Sequence, residues 1–89
     1  MSNVFIAFQA TDESRPVIEA ILADNPEAIA VESPGMVKID APGRLTIRRD
    51  SIEQRTGTRF DLQQIHLNLI TLSGHIDEDD DQFTLSWRH

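Results

Sequence analysis

The sequence contains no cysteine and few basic or aromatic residues, and each shortage excludes a class of function. Without cysteine, the 89-residue chain has no disulfide framework, no thiolate metal site and no cysteine nucleophile. Eight Lys and Arg against 15 Asp and Glu give a formal net charge of −7, which excludes the positive surface that nucleic-acid phosphates require. Aromatic residues are 6% of the chain, too few for a platform on which bases stack.

Long apolar runs are also missing. No stretch approaches the roughly 18 apolar residues of a membrane span, and no basic region precedes the first apolar stretch as it would in a signal peptide. We therefore expect a cytoplasmic protein without membrane or nucleic-acid partners. The length allows a single domain, whose stability must come from its apolar core because disulfides are absent.

The acidic charge is concentrated in residues 77–81, five acids in a row. The rest of the chain carries 10 acids and eight bases, a net charge of −2. Asp77, Asp79 and Asp81 match the first, third and fifth positions of a calcium loop, but Gln82 replaces the required glycine and Arg88 the required glutamate. Two interpretations remain open, a solvated hairpin loop and a charged patch that faces a partner.

Recognisable catalytic groups are absent. His66, His75 and His89 are not spaced as paired metal ligands, and we interpret them as ordinary surface or strand residues. No serine lies in a nucleophile elbow, and no glycine-rich phosphate loop is present. Asp12 and Glu13 lie at a predicted helix start, where capping and the helix dipole explain them. The pattern therefore favours a binding or regulatory module without metal or cofactor over an enzyme.

Hydrophobic periodicity predicts the first half as strand, helix, strand, strand. The strand at 4–8 precedes a helix with cap candidates Thr11, Asp12 and Ser14, and Asn25-Pro26 ends that helix. Strands at 28–32 and 36–40 are predicted to form a hairpin around Ser33-Pro34-Gly35.

The second half repeats this order. A strand at 45–48 precedes a helix that starts in a capping box of Asp50 and Glu53 and ends at Gly57. A short helical turn from Phe60 to Ile65, a strand at 67–72, a loop at 74–81 and a strand at 83–87 follow. The fold class is α+β, two βαββ units packed together, with small mixed or antiparallel sheets and two to three helices. The single domain has pseudo-repeat halves at about 1–42 and 43–89, and its expected core comprises Phe5, Phe8, Ile21, Leu22, Leu45, Ile47, Leu69, Leu72, Leu85 and Trp87.

Three segments carry a more specific signal. Residues 18–26 read IEAILADNP, which matches a helix ending I-E-x-x-x-x-D-N-P, and residues 45–49 read LTIRR. Residues 57–64, GTRFDLQQ, match a turn G-R-x-[FV]-[DN]-M-x-[ED], with a threonine inserted and with leucine and glutamine replacing methionine and the acid. In this order the segments resemble the regulatory, or coupling, proteins of soluble bacterial multicomponent di-iron monooxygenases. The acidic loop and the last strand are most similar to the phenol hydroxylase branch.

This resemblance implies a cofactorless, non-catalytic protein. Such a protein docks on a hydroxylase component with a carboxylate-bridged di-iron centre, alongside the reductase of the same system. Docking reshapes the active-site helices and couples NADH and O₂ consumption to aromatic hydroxylation. The alternative that the residues leave open is a small α+β binding module or scaffold unrelated to monooxygenases.

The resemblance also implies partner-binding residues. Asn25, in the D-N-P segment, is implied to contact the hydroxylase, whereas the sequence alone explains it as a left-handed helix cap worth about 1 kcal/mol. Gly57, Arg59 and Phe60 are interpreted as structural. The candidate partner-binding residues are Asp24, Asn25, Ser33, Met36, Asp79 and Asp80.

Overall fold

The computed structural model describes residues 3–87, in which seven strands and three α-helices follow one another. Predictions about Arg88 and His89 lie outside these residues. The elements are β1 (Asn3–Gln9), α1 (Arg15–Asp24), β2 (Ile29–Ser33), β3 (Met36–Pro42), β4 (Arg44–Arg48), α2 (Arg49–Thr56), a 3-10 turn (Leu62–Gln64), α3 (Ile65–Asn68), β5 (Leu69–Ser73), β6 (His75–Glu78) and β7 (Gln82–Ser86).

The strands form two antiparallel sheets. Sheet one has the order β2-β3-β1-β5 and sheet two the order β4-β7-β6. The hairpin of β2 and β3 is confirmed, and both sheets are antiparallel rather than mixed. Strand β5, from the second half of the sequence, pairs with β1 from the first half. The two halves therefore share sheet one, and their division near residue 42 stays a prediction.

Two predictions about the second half are wrong. The segment predicted as a loop at 74–81 contains strand β6, so Asp77 and Glu78 lie in a strand that pairs with β7. The capping box does not form, because α2 begins at Arg49 and the Glu53 carboxylate instead accepts a hydrogen bond from the Phe60 backbone N–H at 2.9 Å. The cap at Gly57, with φ of 73°, and the helical turn after Asp61 are confirmed.

The core lies between the two sheets and α1. Alternate residues of β1 and β3 and one face of α1 supply it, since period two on strands and 3.6 on helices places those side chains on one side. Phe8, Ile21, Leu45, Ile47 and Leu85 are buried as expected, and Leu22, Leu69 and Leu72 pack against the core while partly exposed.

Two aromatic residues expected in the core lie outside it. Trp87 is 41% exposed, and its indole N–H donates to the Asn3 carbonyl at 2.9 Å. Phe5 is half-buried on the outer face of sheet one, where the Lys38 ammonium lies 4.4 Å from its ring centroid. Alternation along β1 explains Phe5, because Val4, Ile6 and Phe8 take the inner face.

Candidate docking surfaces

Asn25 joins the end of α1 to strand β4. Its side-chain amide donates to the carbonyls of Ile21 and Thr46, both at 2.7 Å, and its oxygen accepts from the Thr46 backbone N–H at 3.0 Å. Asn25 is therefore a helix cap, but with φ of −125° it is not left-handed as expected. The Asn25 side chain forms the cap, and the same side chain also bonds Thr46, which lies 21 residues further along the chain.

This contact also closes an open sheet edge. In an antiparallel strand each residue turns its N–H and C=O to one side, so Thr46 presents both groups away from β7 and towards Asn25. The amide of Asn25 thus takes the place of a neighbouring strand's peptide group. Both of its N–H donors are used within the chain, and only an oxygen lone pair remains for other contacts. Contact of Asn25 with a partner stays a prediction.

Asp24 lies beside Asn25 on the surface. It is the last residue of α1 and is exposed. A shallow pocket of about 200 Å³ adjoins it, with Glu27, Pro42 and Arg44 in its lining. Asp24 and Asn25 therefore belong to one surface at the C-terminal end of α1.

Ser33 and Met36 lie at the other end of α1. They flank the Pro34-Gly35 turn and pair with each other, and Met36 also pairs with Gln9. Ser14, just before α1, donates to the Gln9 carbonyl at 2.6 Å. A helix of ten residues is about 15 Å long. The structure therefore does not bring Ser33 and Met36 together with Asn25.

Asp79 and Asp80 lie in the turn between β6 and β7. The Asp79 carboxylate accepts from the N–H groups of Gln82 (2.9 Å) and Asp81 (2.8 Å), which hold its pKa below the ordinary value of 3.8. Asp79 is thus used to build the turn, whereas Asp80 is an exposed charge. Asp81 pairs with Arg49 at 2.9 Å. The acids of this run therefore have different roles and do not form one uniform charged patch.

Glu78, another acid of the run, faces the 3-10 turn and α3. It accepts from the Gln63 side chain at 2.9 Å and lies 3.4 Å from the His66 ring, whose edge contacts Phe83. Among residues 3–87 there is no group of three or more side chains arranged to hold a metal ion.

Exposed apolar side chains are the surface feature that the sequence analysis missed. They are Ile29 (66%), Val31 (50%), Leu67 (73%), Ile70 (47%), Ile76 (41%) and Trp87 (41%). Ile29 and Val31 lie on β2 and Ile70 on β5, which are the two edge strands of sheet one. A break in the pairing register falls beside Ile70, because Ala7 pairs with Thr71 and Phe8 with Leu69. Apolar groups at open strand edges are suited to binding another protein.

A family model matches this chain, and it covers nearly all of it. The model describes the MmoB/DmpM family and matches residues 2–86. The chain belongs to the MmoB/DmpM family. The resemblance carried by three short segments is therefore confirmed over residues 2–86.

Individual relatives agree with this membership. This family member is 46% identical over 88 residues to the phenol 2-monooxygenase stimulatory component DmpM of Pseudomonas sp. strain CF600, and the match covers 99% of this chain and 98% of the relative.

Solved structures of relatives have the same fold. Two structures of the phenol hydroxylase–regulatory protein complex contain chains with TM-scores of 0.94 and 0.91 and identities of 42% and 40%. These matches cover 98% and 97% of this family member and 100% of each matched chain. The soluble methane monooxygenase regulatory protein B shares the fold alone, with a TM-score of 0.76, 22% identity, and coverage of 97% of this chain and 65% of that one.

A membrane span is not found among the helices of this family member. Within residues 3–87, no helix has the length and apolar character that crossing a bilayer requires.

Proposed function

We propose that this chain is the cofactorless regulatory component of a phenol-hydroxylase-type monooxygenase. It docks on a hydroxylase component that holds a carboxylate-bridged di-iron centre. Docking couples the consumption of NADH and O₂ to hydroxylation of an aromatic substrate. The chemistry takes place in the hydroxylase, and electrons come from the reductase of the same system. The regulator itself catalyses no step. All three components meet in the cytoplasm.

The observation that carries this proposal is the full-length likeness to a stimulatory component. The relative from Pseudomonas is named for stimulating phenol 2-monooxygenase, and its match covers 99% of this chain and 98% of the relative. The two structures with TM-scores above 0.9 are complexes of phenol hydroxylase with its regulatory protein. An unrelated binding module does not account for such agreement in sequence, length and fold.

The surface of the molecule is consistent with a docking role. The described residues offer apolar side chains on open strand edges. Some titratable groups on the surface are engaged in turns and ion pairs, as Asp79 and Arg49 illustrate. Such a surface can bind a partner and change its conformation, and it need not supply a reacting group.

Co-elution with the hydroxylase tests the proposal. Purified hydroxylase is mixed with a molar excess of the chain and separated by size exclusion, and the rate of NADH-dependent phenol hydroxylation is measured with reductase present. We expect the chain to elute with the hydroxylase and to raise the rate to a plateau as its concentration approaches that of the active sites. An Ile47→Asp variant is the matched control, because Ile47 is completely buried and a charge there prevents folding.

The absence of both effects would refute the proposal. If the folded chain neither co-elutes with the hydroxylase nor changes the rate, it is not the regulator of that enzyme. A rate increase with the Ile47→Asp variant as well would show that the stimulation does not depend on the fold.

A further inference from the structure

Strand β2 is an open edge of sheet one. Among the described strands it pairs only with β3. The two-residue loop Pro34-Gly35 makes Ser33 and Met36 a hydrogen-bonded pair, and such pairs recur at every second residue. Ala30 and Glu32 therefore turn their backbone N–H and C=O groups away from β3. No described element covers this edge, so it presents a row of unpaired backbone groups.

Both sides of this strand are apolar. Ile29 and Val31 lie on the outer face of sheet one and are 66% and 50% exposed. On the inner side, a groove of about 380 Å³ separates β2 from α1, and its apolar lining includes Ile18, Leu22 and Ala30. A strand that paired with β2 would send alternate side chains to these two surfaces, because side chains alternate across a sheet.

The rim of the groove is acidic. Asp12, Glu19 and Glu32 line it, against a single base, Arg15. Asp12 pairs with Arg15 at 4.0 Å and Glu19 with Arg55 of α2 at 3.9 Å, whereas Glu32, at the open edge, has no ion pair within residues 3–87. A bound segment with lysine or arginine would therefore find complementary charge.

We propose that β2 binds an extended segment of the hydroxylase component by strand addition. The segment contributes backbone hydrogen bonds to Ala30 and Glu32, apolar side chains to the groove and to Ile29 and Val31, and a basic side chain to Glu32. Main-chain pairing supplies affinity in this mode of recognition, and the pockets for alternate side chains supply specificity. This inference rests on the proposed function, because it names the surface through which one part of the hydroxylase is held.

The charge also argues against a second copy of this chain as the occupant. Antiparallel pairing of two β2 strands about Val31 would place Glu32 of one copy opposite Ala30 of the other and bring two acidic rims together. Each chain carries a formal net charge of −7, so the pairing would be opposed by like charges.

Amide hydrogen exchange, read by NMR on the isotope-labelled chain, tests the proposal. In the free chain the outward N–H groups of Ala30 and Glu32 should exchange fast, while that of Val31, which faces β3, exchanges slowly. With saturating purified hydroxylase, we expect the exchange of Ala30 and Glu32 to slow by about tenfold or more, because both become ladder hydrogen bonds.

A pair of variants tests the same surface by affinity. Val31→Lys places a charge on the open edge and should weaken hydroxylase binding by about tenfold. Gln54→Lys is the control, because Gln54 is an exposed residue of α2, away from sheet one and from the groove lining, and we expect a change within about twofold for it. Urea denaturation of both variants establishes that they are folded.

Three other outcomes would overturn the proposal, each for a different reason. If the hydroxylase binds while Ala30 and Glu32 exchange as in the free chain, strand addition is refuted and the regulatory function stands. If the hydroxylase does not bind at all, both fail. If the two amides become protected in the chain alone as its concentration rises, the occupant of β2 is a second copy.

Discussion

At the scale of single residues, Asn25 joins two elements through one side chain. One amide group caps α1 and also satisfies both backbone groups of Thr46. Asn25 of the D-N-P segment therefore has a structural role that does not depend on contact with a partner. A substitution of Asn25 that changes the coupling of NADH consumption to hydroxylation could act by displacing α1 relative to β4. That structural effect has to be measured separately from a lost contact with the hydroxylase.

Asn25→Ala should destabilise the fold by more than a simple cap does. We expect the free energy of unfolding to fall by about 2–3 kcal/mol, since the variant loses the cap and the two hydrogen bonds to Thr46. Urea denaturation measures this change. Asn68→Ala is the control, because the Asn68 side chain accepts one exposed hydrogen bond, from Thr11 at 3.3 Å. A loss of 1 kcal/mol or less for Asn25→Ala would show that the bridge to β4 contributes nothing.

Asp79 should make stability depend on acid pH. Its pKa is lowered by the N–H groups of Gln82 and Asp81, so the ionised carboxylate stabilises the folded chain above its unfolded pKa, near 3.8. That contribution is lost as pH falls through the lowered folded pKa. Asp79→Ala should therefore be less stable than wild type at pH 7 and approach it as the pH falls below 3.8 and through the lowered folded pKa. Urea denaturation across this range measures the difference, and equal stability of the variant and the wild type at pH 7 would contradict the prediction.

At the scale of elements, the short α2 is held by its neighbours rather than by its own cap. The backbone N–H of Arg49 donates to the Asp81 carbonyl at 2.9 Å, and its guanidinium lies 2.9 Å from the Asp81 carboxylate. At the other side Glu53 binds the Phe60 N–H. These contacts fasten α2 to the β6–β7 turn and to the segment that leads into α3.

Glu53 provides the test at this scale. Glu53→Ala should lower the free energy of unfolding by about 1.5–2 kcal/mol, because a partly buried N–H loses a charged acceptor. Glu53→Gln keeps an acceptor oxygen and should lose less than half of that. Equal losses in thermal or urea denaturation of the two variants would show that the charge of Glu53, rather than its hydrogen bond to Phe60, is what matters.

The elements also show how far the sequence could predict the structure. Periodicity located β1, α1 and the β2–β3 hairpin, because local apolar patterns and turn residues determine them. Strand β6 was hidden because acidic residues are unusual in strands, and its stability comes from pairing with β7. Glu53 matched a capping box, yet its carboxylate took a partner seven residues away. Neither the pairing of β6 with β7 nor the hydrogen bond between Glu53 and Phe60 is visible in a local sequence pattern.

The candidate site was less predictable than the fold. Asp24 and Asn25 lie on one surface, but Ser33, Met36 and the acidic turn lie elsewhere. Ile29 and Val31 escaped notice because β2 is apolar on both faces, so alternation does not reveal which face is buried. Ile29 and Val31 are exposed because α1 lies against the opposite face of β2, the face that carries Ala30. The position of α1 over the sheet is tertiary structure, which a local sequence pattern does not show.

At the scale of the whole molecule, the acidic turn and the apolar strand edges of sheet one lie on different sheets. The acidic turn lies at the end of sheet two, while the edge strands β2 and β5 belong to sheet one. Within the acidic run, Asp79 and Asp81 are engaged in the turn and with Arg49, whereas Asp77 and Asp80 are exposed. Any steering of association by the acidic run would therefore depend on the exposed pair.

The double variant Asp77→Asn/Asp80→Asn should fold normally and associate with the hydroxylase more slowly. If the exposed pair steers docking, the association rate at low salt falls by about twofold to tenfold and its salt dependence weakens. Stopped-flow mixing at several ionic strengths measures both quantities. An unchanged salt slope would show that these acids only keep the protein soluble.

The regulatory function is tested most directly by the ratio of hydroxylated product to NADH consumed. The ratio is measured with fixed amounts of hydroxylase and reductase, with and without the folded chain, and with the Ile47→Asp variant as control. We predict that the folded chain raises the ratio towards one product per NADH and that the variant leaves it low. A ratio that is the same with and without the folded chain would contradict the assignment of this protein as a coupling component.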